Sequence, residues 1–243
     1  MTEFLIYVAV GFIAQLIDGA LGMAFGVTAT SLLLSVGVAP AAASATVHIA
    51  ECVTSGVSGV SHHAFGNISP TLFRALVLPG MLGAAIGAFL LSSFPSEVFR
   101  PIIACYLVIM GLVIIIKAFT TFPPRTVTRH LAPLGFFGGF FDAVGGGGWG
   151  PIVASNLIAR GNAIRTAIGS TNAVEFFVAL SASVTFVLTL GTFDWRIILG
   201  LAAGGAIGAP LGAWACKHIP VKPFMIFVGC LIIVLSLRTL LTA

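Results

Sequence analysis

The chain has 243 residues, 58% of them hydrophobic, and its 11 Lys and Arg and 7 Asp and Glu make up only 7% of the whole. A soluble domain carries about 25% charged residues, so a soluble globular protein is excluded, and no polar block is long enough for an extramembrane domain. The net charge of +4 comes from basic residues gathered in loops, which bears on orientation in the bilayer and argues little for a nucleic-acid partner.

Met1-Thr2-Glu3 lacks the basic opening of a signal peptide and the apolar run continues past any cleavage point, so the N-terminus is expected to stay. Five apolar stretches follow, at about 4–20, 22–36, 42–62, 71–93 and 98–118, with counterparts after residue 130. The first two reach only about 22 to 26 Å each, short of the ~30 Å hydrocarbon core, yet as one helix they would overshoot to about 50 Å. They read as short or half-crossing helices broken near Gly22, and their counterparts as broken near Gly145 to Gly148. Asp18 ends the first stretch; it either clamps the broken helix or takes part directly in transport, and the same holds for Asp142.

The third stretch carries Ser44, His48, Glu51, Ser55, Ser58 and His62 at steps that a helix places in one row. Such a row lines either a water-filled path or a polar helix interface. Its counterpart, Ile168, Asn172, Glu175, Ala179, Ala182 and Phe186, is polar only near its start, an asymmetry suited to alternating access. Four intramembrane acids are too costly to be ornaments, at about 2.5 to 3.5 kcal/mol each on the lenient scale. Glu51, Glu175, Asp18 and Asp142 are therefore the candidate proton-coupling residues. The fourth stretch carries Gly80, Gly83 and Gly87 at small-residue spacing, read as helix packing, as are Gly205, Gly208 and Gly212.

The second half repeats the first: a shift of 124 lays Asp18 on Asp142, Gly22 on Gly146, Gly26 on Gly150 and Glu51 on Glu175, and a shift of 125 lays Gly80 on Gly205 and Pro95 on Pro220. We read membrane repeats at 1–120 and 121–243, each with an odd number of crossings, so that the second runs inverted. The fold class is an all-α polytopic membrane protein with about 8 to 10 membrane helices. If the 62–73 loop is cytoplasmic, that side also receives Arg74, Lys117, Arg125, Arg129, Arg160, Arg165, Lys217 and Lys222, against Arg100, Arg196 and Arg238 outside.

Four successive glycines, Gly145 to Gly148, should break a helix, and Trp149, Gly150 and Pro151 then suit the start of the next. Its free N–H groups would form an anion cradle, with close glycine packing as the alternative. Gly56-Val57-Ser58-Gly59 matches an intramembrane serine protease string, but His48, His62 and His63 share its helix or its end and His130 and His218 lie in loops, so no catalytic pair assembles. His48-Ile49-Ala50-Glu51 is not a zinc motif, and no metal site is expected. His62 and His63 read as residues at the membrane–water interface, and Cys52, Cys105, Cys216 and Cys230 as small core residues.

The strings Ser44-Ala45-Thr46-Val47-His48-Ile49-Ala50-Glu51, Ser61-His62, Gly66-Asn67, Asp142-Ala143-Val144-Gly145-Gly146-Gly147-Gly148-Trp149-Gly150-Pro151 and Gly169-Ser170-Thr171-Asn172-Ala173-Val174-Glu175-Phe176 resemble the sulfite exporter TauE/SafE family over nearly the whole chain. The resemblance implies a duplicated, mostly eight-helix carrier of the bacterial inner membrane, associated with export of sulfite, sulfoacetate and related oxyanions. Leu21-Gly22-Met23-Ala24 departs from the four glycines of the second half, so two equivalent cradles are not implied.

The function expected is secondary transport of a small sulfur-containing oxyanion, by alternating access with proton linkage. The cargo would be held near Gly26, Gly146, Gly147, Gly148 and Gly150, with Thr46, His48, Ser170, Thr171 and Asn172 as hydrogen-bond donors. A cation carrier using the four carboxylates is the main rival, and a structural or signalling membrane subunit the third reading. No cofactor and no enzymatic activity are expected. The partners are the small anion and the lipid bilayer, with self-association into a homo-oligomer left open.

Overall fold

The computed structural model describes residues 2–120, 129–216 and 221–241. Arg125, Lys217, His218 and Pro220 lie outside the described residues, and the expected junction of the halves at 120 and 121 falls where description stops. The described residues form helices and no strand: α1 (Thr2–Leu21), α2 (Phe25–Ser35), α3 (Pro40–Ala64), α4 (Pro70–Ser93) and α5 (Ser96–Ala118), then α6 (Leu131–Gly145), a π turn (Gly150–Ala154) running into α7 (Ser155–Ala159), α8 (Ile164–Leu190), α9 (Trp195–Ala215) and α10 (Val221–Leu241). These are the five stretches of each half.

Local chemistry sets the ends. Pro40 and Pro70 occupy the first turns of α3 and α4, where a missing N–H costs nothing, and the Ser69 hydroxyl accepts from Leu72 N–H at 3.4 Å. Gly22 at φ +69° and Ala24 at φ 138° separate α1 from α2, while Gly146 at φ +66° and Gly147 at φ +144° end α6. One expectation changes. With 20 residues α1 reaches about 30 Å and is long enough to span, because the helix continues through Ala20 and Leu21 before Gly22 turns it. The short elements are α2, with 11 residues, α6, with 15, and the Gly150–Ala159 segment. Among the described residues, five helices are long and apolar enough to cross: Glu3–Leu21, Pro70–Ser93, Ser96–Ala118, Ile164–Leu190 and Trp195–Ala215. With 25 residues α3 is longer than most of these, and its polar row is what lowers its hydropathy.

The halves interlock. Helix α1 packs on α9 and its counterpart α6 on α4; α3 packs on α9 and its counterpart α8 on α4; α3 and α8 pair with each other, as do α5 and α10. The glycines show the same exchange atom by atom. A Cβ on Gly83 would meet the carbonyl of Phe136 and one on Gly208 that of Phe12; Gly87 faces Phe140 O and Gly212 faces Leu16 O; Gly11 faces Leu201 O and Gly135 faces Leu76 O. Each pair maps onto the other under the repeat shift, and each is a backbone-on-backbone approach that only glycine permits in a lipid-embedded helix pair.

The central pair fixes the inversion. Moving up α3 means moving down α8: Ser58 meets Asn172, Ser55 meets Glu175 and Cys52 meets Ser183, while the ring centroids of His48 and Phe186 lie 6.1 Å apart. Repeat-related helices that run antiparallel are an inverted-topology repeat. The loops agree, since Arg165 donates to Asn67 Oδ1 at 2.9 Å and Arg160 to Arg129 O at 2.7 Å, which gathers these basic residues at one end.

The outer surface is apolar, with Leu78 67% and Leu188 81% exposed, whereas the polar row is buried. That inside-out distribution suits lipid as solvent. Cys105 and Cys230 are exposed on the outer face of α5 and α10 instead of lying in the core. Helix phase puts them there, since the inward face of each helix is used for the α5–α10 contact around Gly111 and Gly229.

Candidate functional site

The two helix breaks meet at the centre. A Cβ on Gly26 would approach Gly147 Cα at 2.7 Å and Glu51 Oε1 at 2.9 Å, and the related Gly150 lies against Gly22 O and Met23. Both breaks are braced alike. Asp18 Oδ1 accepts from Phe25 N–H at 3.5 Å, and Asp142 Oδ1 accepts from Trp149 N–H at 2.9 Å, each reaching seven residues ahead. Of the two roles left open for these aspartates, the geometry displays the clamp: a carboxylate placed on free N–H groups at a helix start. Each half thus keeps a carboxylate of its own at the helix start where the cradle was expected. Gly147 N–H adds a bond to Asp142 O at 2.9 Å.

Asp142 has a second role. Its Oδ2 lies 3.3 Å from His48 Nε2, an ion pair when the ring is protonated, joining α6 to α3 across the halves. The ring is held by its other nitrogen, since His48 Nδ1 lies 2.8 Å from Ser44 O and must donate to it. The Ser44 hydroxyl in turn donates to Ala143 O at 2.6 Å.

The rest of the row is an interface between halves. Ser55 donates to Glu175 Oε2 at 3.2 Å and Ser58 to Asn172 Oδ1 at 2.7 Å. His62 is buried, accepting from Asn67 Nδ2 at 3.1 Å and donating to Gly19 O at 3.0 Å, so it is not a residue of the membrane–water boundary. It continues the row four residues past Ser58, and that helical phase outweighs its position near the helix end. His63, on the next face, is exposed.

Glu51 differs from every other member of the row. It is 1% exposed, and neither carboxylate oxygen has a hydrogen-bond partner. Repeat symmetry supplies the reason: Ser55 serves Glu175, but the residue equivalent to Ser55 on α8 is Ala179, which has no hydroxyl to offer. An unserved buried carboxylate is a place where water, a proton, an ion or cargo has work to do. Ligand atoms of His48, Glu51 and Asp142 all lie within 4.8 Å of one another.

The remaining expected residues are placed as follows. Gly146 accepts from the Thr30 hydroxyl, Gly147 O accepts from Tyr106 Oη at 3.3 Å, and Gly148 lies under the same tyrosine oxygen. Ser170 Oγ accepts from Ser69 N–H at 2.8 Å, Thr171 Oγ1 donates to Ala167 O and Ile168 O at 2.9 Å, and Asn172 Nδ2 donates to Ile168 O at 3.1 Å, so all three also brace the scaffold. Thr46 is buried on α3, outside the row. Tyr106, Thr30 and Trp149, whose Nε1–H donates to Thr171 O at 3.0 Å, hold the glycine turn, although sequence reasoning singled out neither Tyr106 nor Thr30. Trp149 also fills the space beside Gly80.

Two cavities flank this centre. One is lined by Leu21, Met23, Lys117, Ser155, Ile168 and Met225 and reaches the first break. Another runs along the α3–α8 seam past Gly56, Gly59, Ala173 and Phe176 to Ser55, the donor to Glu175.

Comparison with known proteins agrees with this architecture. The profile of the sulfite exporter TauE/SafE family matches residues 7–239. The probable membrane transporter protein YtnM of Bacillus subtilis (strain 168) is 41% identical over 251 residues, covering 99% of this chain and 84% of that one. A probable membrane transporter protein of Haemophilus influenzae is 26% identical over 247 residues, covering 91% and 92%, and the probable membrane transporter protein ORF9 of Sinorhizobium sp is 26% identical over 240, covering 94% and 89%. No solved structure matches.

Proposed function

Because the chain belongs to the sulfite exporter TauE/SafE family and is a multi-pass membrane transporter, we propose that it exports a small sulfur-containing oxyanion, sulfite or an organosulfonate, from the bacterial cytoplasm across the inner membrane. The observation that carries the reading is the convergence of two helix breaks and the buried His48, Glu51 and Asp142 at the junction of inverted halves. Inverted repeats with broken helices place cargo at such a junction, and rocking of one half against the other exposes it to each side in turn.

The aspartate clamps refine how an anion is taken. Phe25 and Trp149 N–H groups are already engaged by Asp18 and Asp142, so cargo would use the donors beside them on Gly26, Gly148 and Gly150. An ionised Glu51 or Glu175 repels the cargo and a protonated one does not, which links occupancy to a proton. In proteoliposomes loaded with sulfite, efflux should depend on pH, and Glu51→Gln should flatten that dependence. Equal pH dependence in both proteins would remove Glu51 from the coupling. A purified protein whose melting temperature is raised by no sulfur oxyanion would count against the substrate class.

A further inference from the structure

We propose that His48, Glu51 and Asp142 form a binding site for a divalent metal cation of the zinc class, joining the two halves at the centre of the carrier. The geometry of the imidazole is the first support. His48 Nδ1 gives its proton to Ser44 O at 2.8 Å, so the neutral ring turns the bare lone pair of Nε2 inward. Histidine ligands of metals are oriented by such a bond from the other ring nitrogen to a carbonyl. Nε2 then stands 3.3 Å from Asp142 Oδ2. Two acceptors at that separation need either a proton or a metal cation between them, and the spacing fits what a tetrahedral ion imposes on ligands about 2.0–2.2 Å away.

Glu51 is the second and independent support. It lies one helical turn beyond His48 on the same face of α3, is buried, and aims two oxygens without protein partners at the same space. All three ligand atoms lie within 4.8 Å of one another. One imidazole nitrogen with two carboxylate oxygens suits the borderline first-row ions, whereas magnesium and calcium prefer oxygen shells of six or more. Three protein ligands leave a fourth position for water or for an oxygen of an anion. The charges also balance, because a divalent cation cancels the two carboxylates that would otherwise repel a sulfur oxyanion at this junction. That last point rests on the carrier reading; the metal site itself does not.

The test uses the full-length protein purified in detergent micelles and stripped with a chelator. Zn²⁺ should bind at one ion per chain by equilibrium dialysis and raise the melting temperature, with Mg²⁺ inert at the same concentration. Glu51→Gln should weaken binding by at least about tenfold, while Glu175→Gln, which leaves the three ligands intact, should not. Exposed His63, His130, Cys105 and Cys230 are the adventitious sites, and binding that survives Glu51→Gln at full strength overturns the proposal. Should Glu51→Gln fail to fold, Co²⁺ added to a protein carrying His63→Ala and His130→Ala decides: visible ligand-field bands with no thiolate charge-transfer band support the site. A thiolate band, or no uptake of any of these ions, overturns it in favour of a proton alone. If none of these ions binds while sulfite still raises the melting temperature, the metal site falls and the carrier reading stands.

Discussion

Replacing Gly147 with Ala tests whether the two helix breaks bear on each other. Gly147 sits at φ +144°, and an added Cβ would run into Val27 N and Gly26 C of the opposite half. The backbone alone costs about 1–3 kcal/mol for a side chain held in that region. Overpacking against the start of α2 adds about 1–3 kcal/mol. Gly37 separates the two effects, because it has φ +94° and nothing within 4 Å of its Cβ position. Gly37→Ala therefore carries strain without collision. Thermal unfolding of both variants in the same micelles should show Gly147→Ala less stable than Gly37→Ala by about 1–3 kcal/mol, or about 2–12 °C for a chain of this size. Gly147→Ala should also depress sulfite flux, while Gly37→Ala leaves it near wild type. Equal losses of stability would refute the contact between breaks as a determinant of the centre.

Asp142→Asn should cost more stability than Asp18→Asn in a melting comparison, because Asp142 holds a 2.9 Å bond to Trp149 N–H and a histidine, whereas Asp18 holds Phe25 N–H at 3.5 Å. Trp149→Phe should lose the bond to Thr171 O and also open a cavity where the indole ring meets Gly80, so the loss read from the denaturation midpoint should exceed the ~0.5–1.5 kcal/mol of the bond alone. Ala179→Ser should give Glu51 the hydroxyl that Ser55 gives Glu175, and sulfite efflux should become less sensitive to pH as the carboxylate gains a permanent partner; an unchanged profile would disprove the symmetry argument. Gly83→Ala and Gly208→Ala, which meet repeat-related carbonyls, should destabilise by similar amounts, about 1–3 kcal/mol each.

Much of the fold was legible because lipid imposes a simple code. Glycine and proline punctuate apolar runs, so the stretches at 71–93 and 98–118 became α4 and α5 with little change. The duplication was legible through rare residues, and Asp18 and Asp142 proved equivalent down to the N–H each accepts. What the sequence hid is non-local. His48 and Asp142 are 94 residues apart, so the local string shows two potential ligands, His48 and Glu51, where folding brings three together. Tyr106 and Thr30 carry no periodic signal, since a hydroxyl in an apolar run looks the same whether it faces lipid or a glycine turn. His62 was misplaced because nearness to a helix end was weighed above its phase in the row.

The exchange of contacts between halves is incomplete, and under the proposed alternating-access cycle this sets a preferred posture. Ser55, Ser58 and His62 make bonds whose mirror positions are Ala179, Ala182 and Phe186. A machine that swaps the shapes of its halves to face one side and then the other would be level only if those halves were chemically alike. Here they are not, so its idle population should tilt toward one face, and the ion or cargo gradient must lift it out of that well on every cycle.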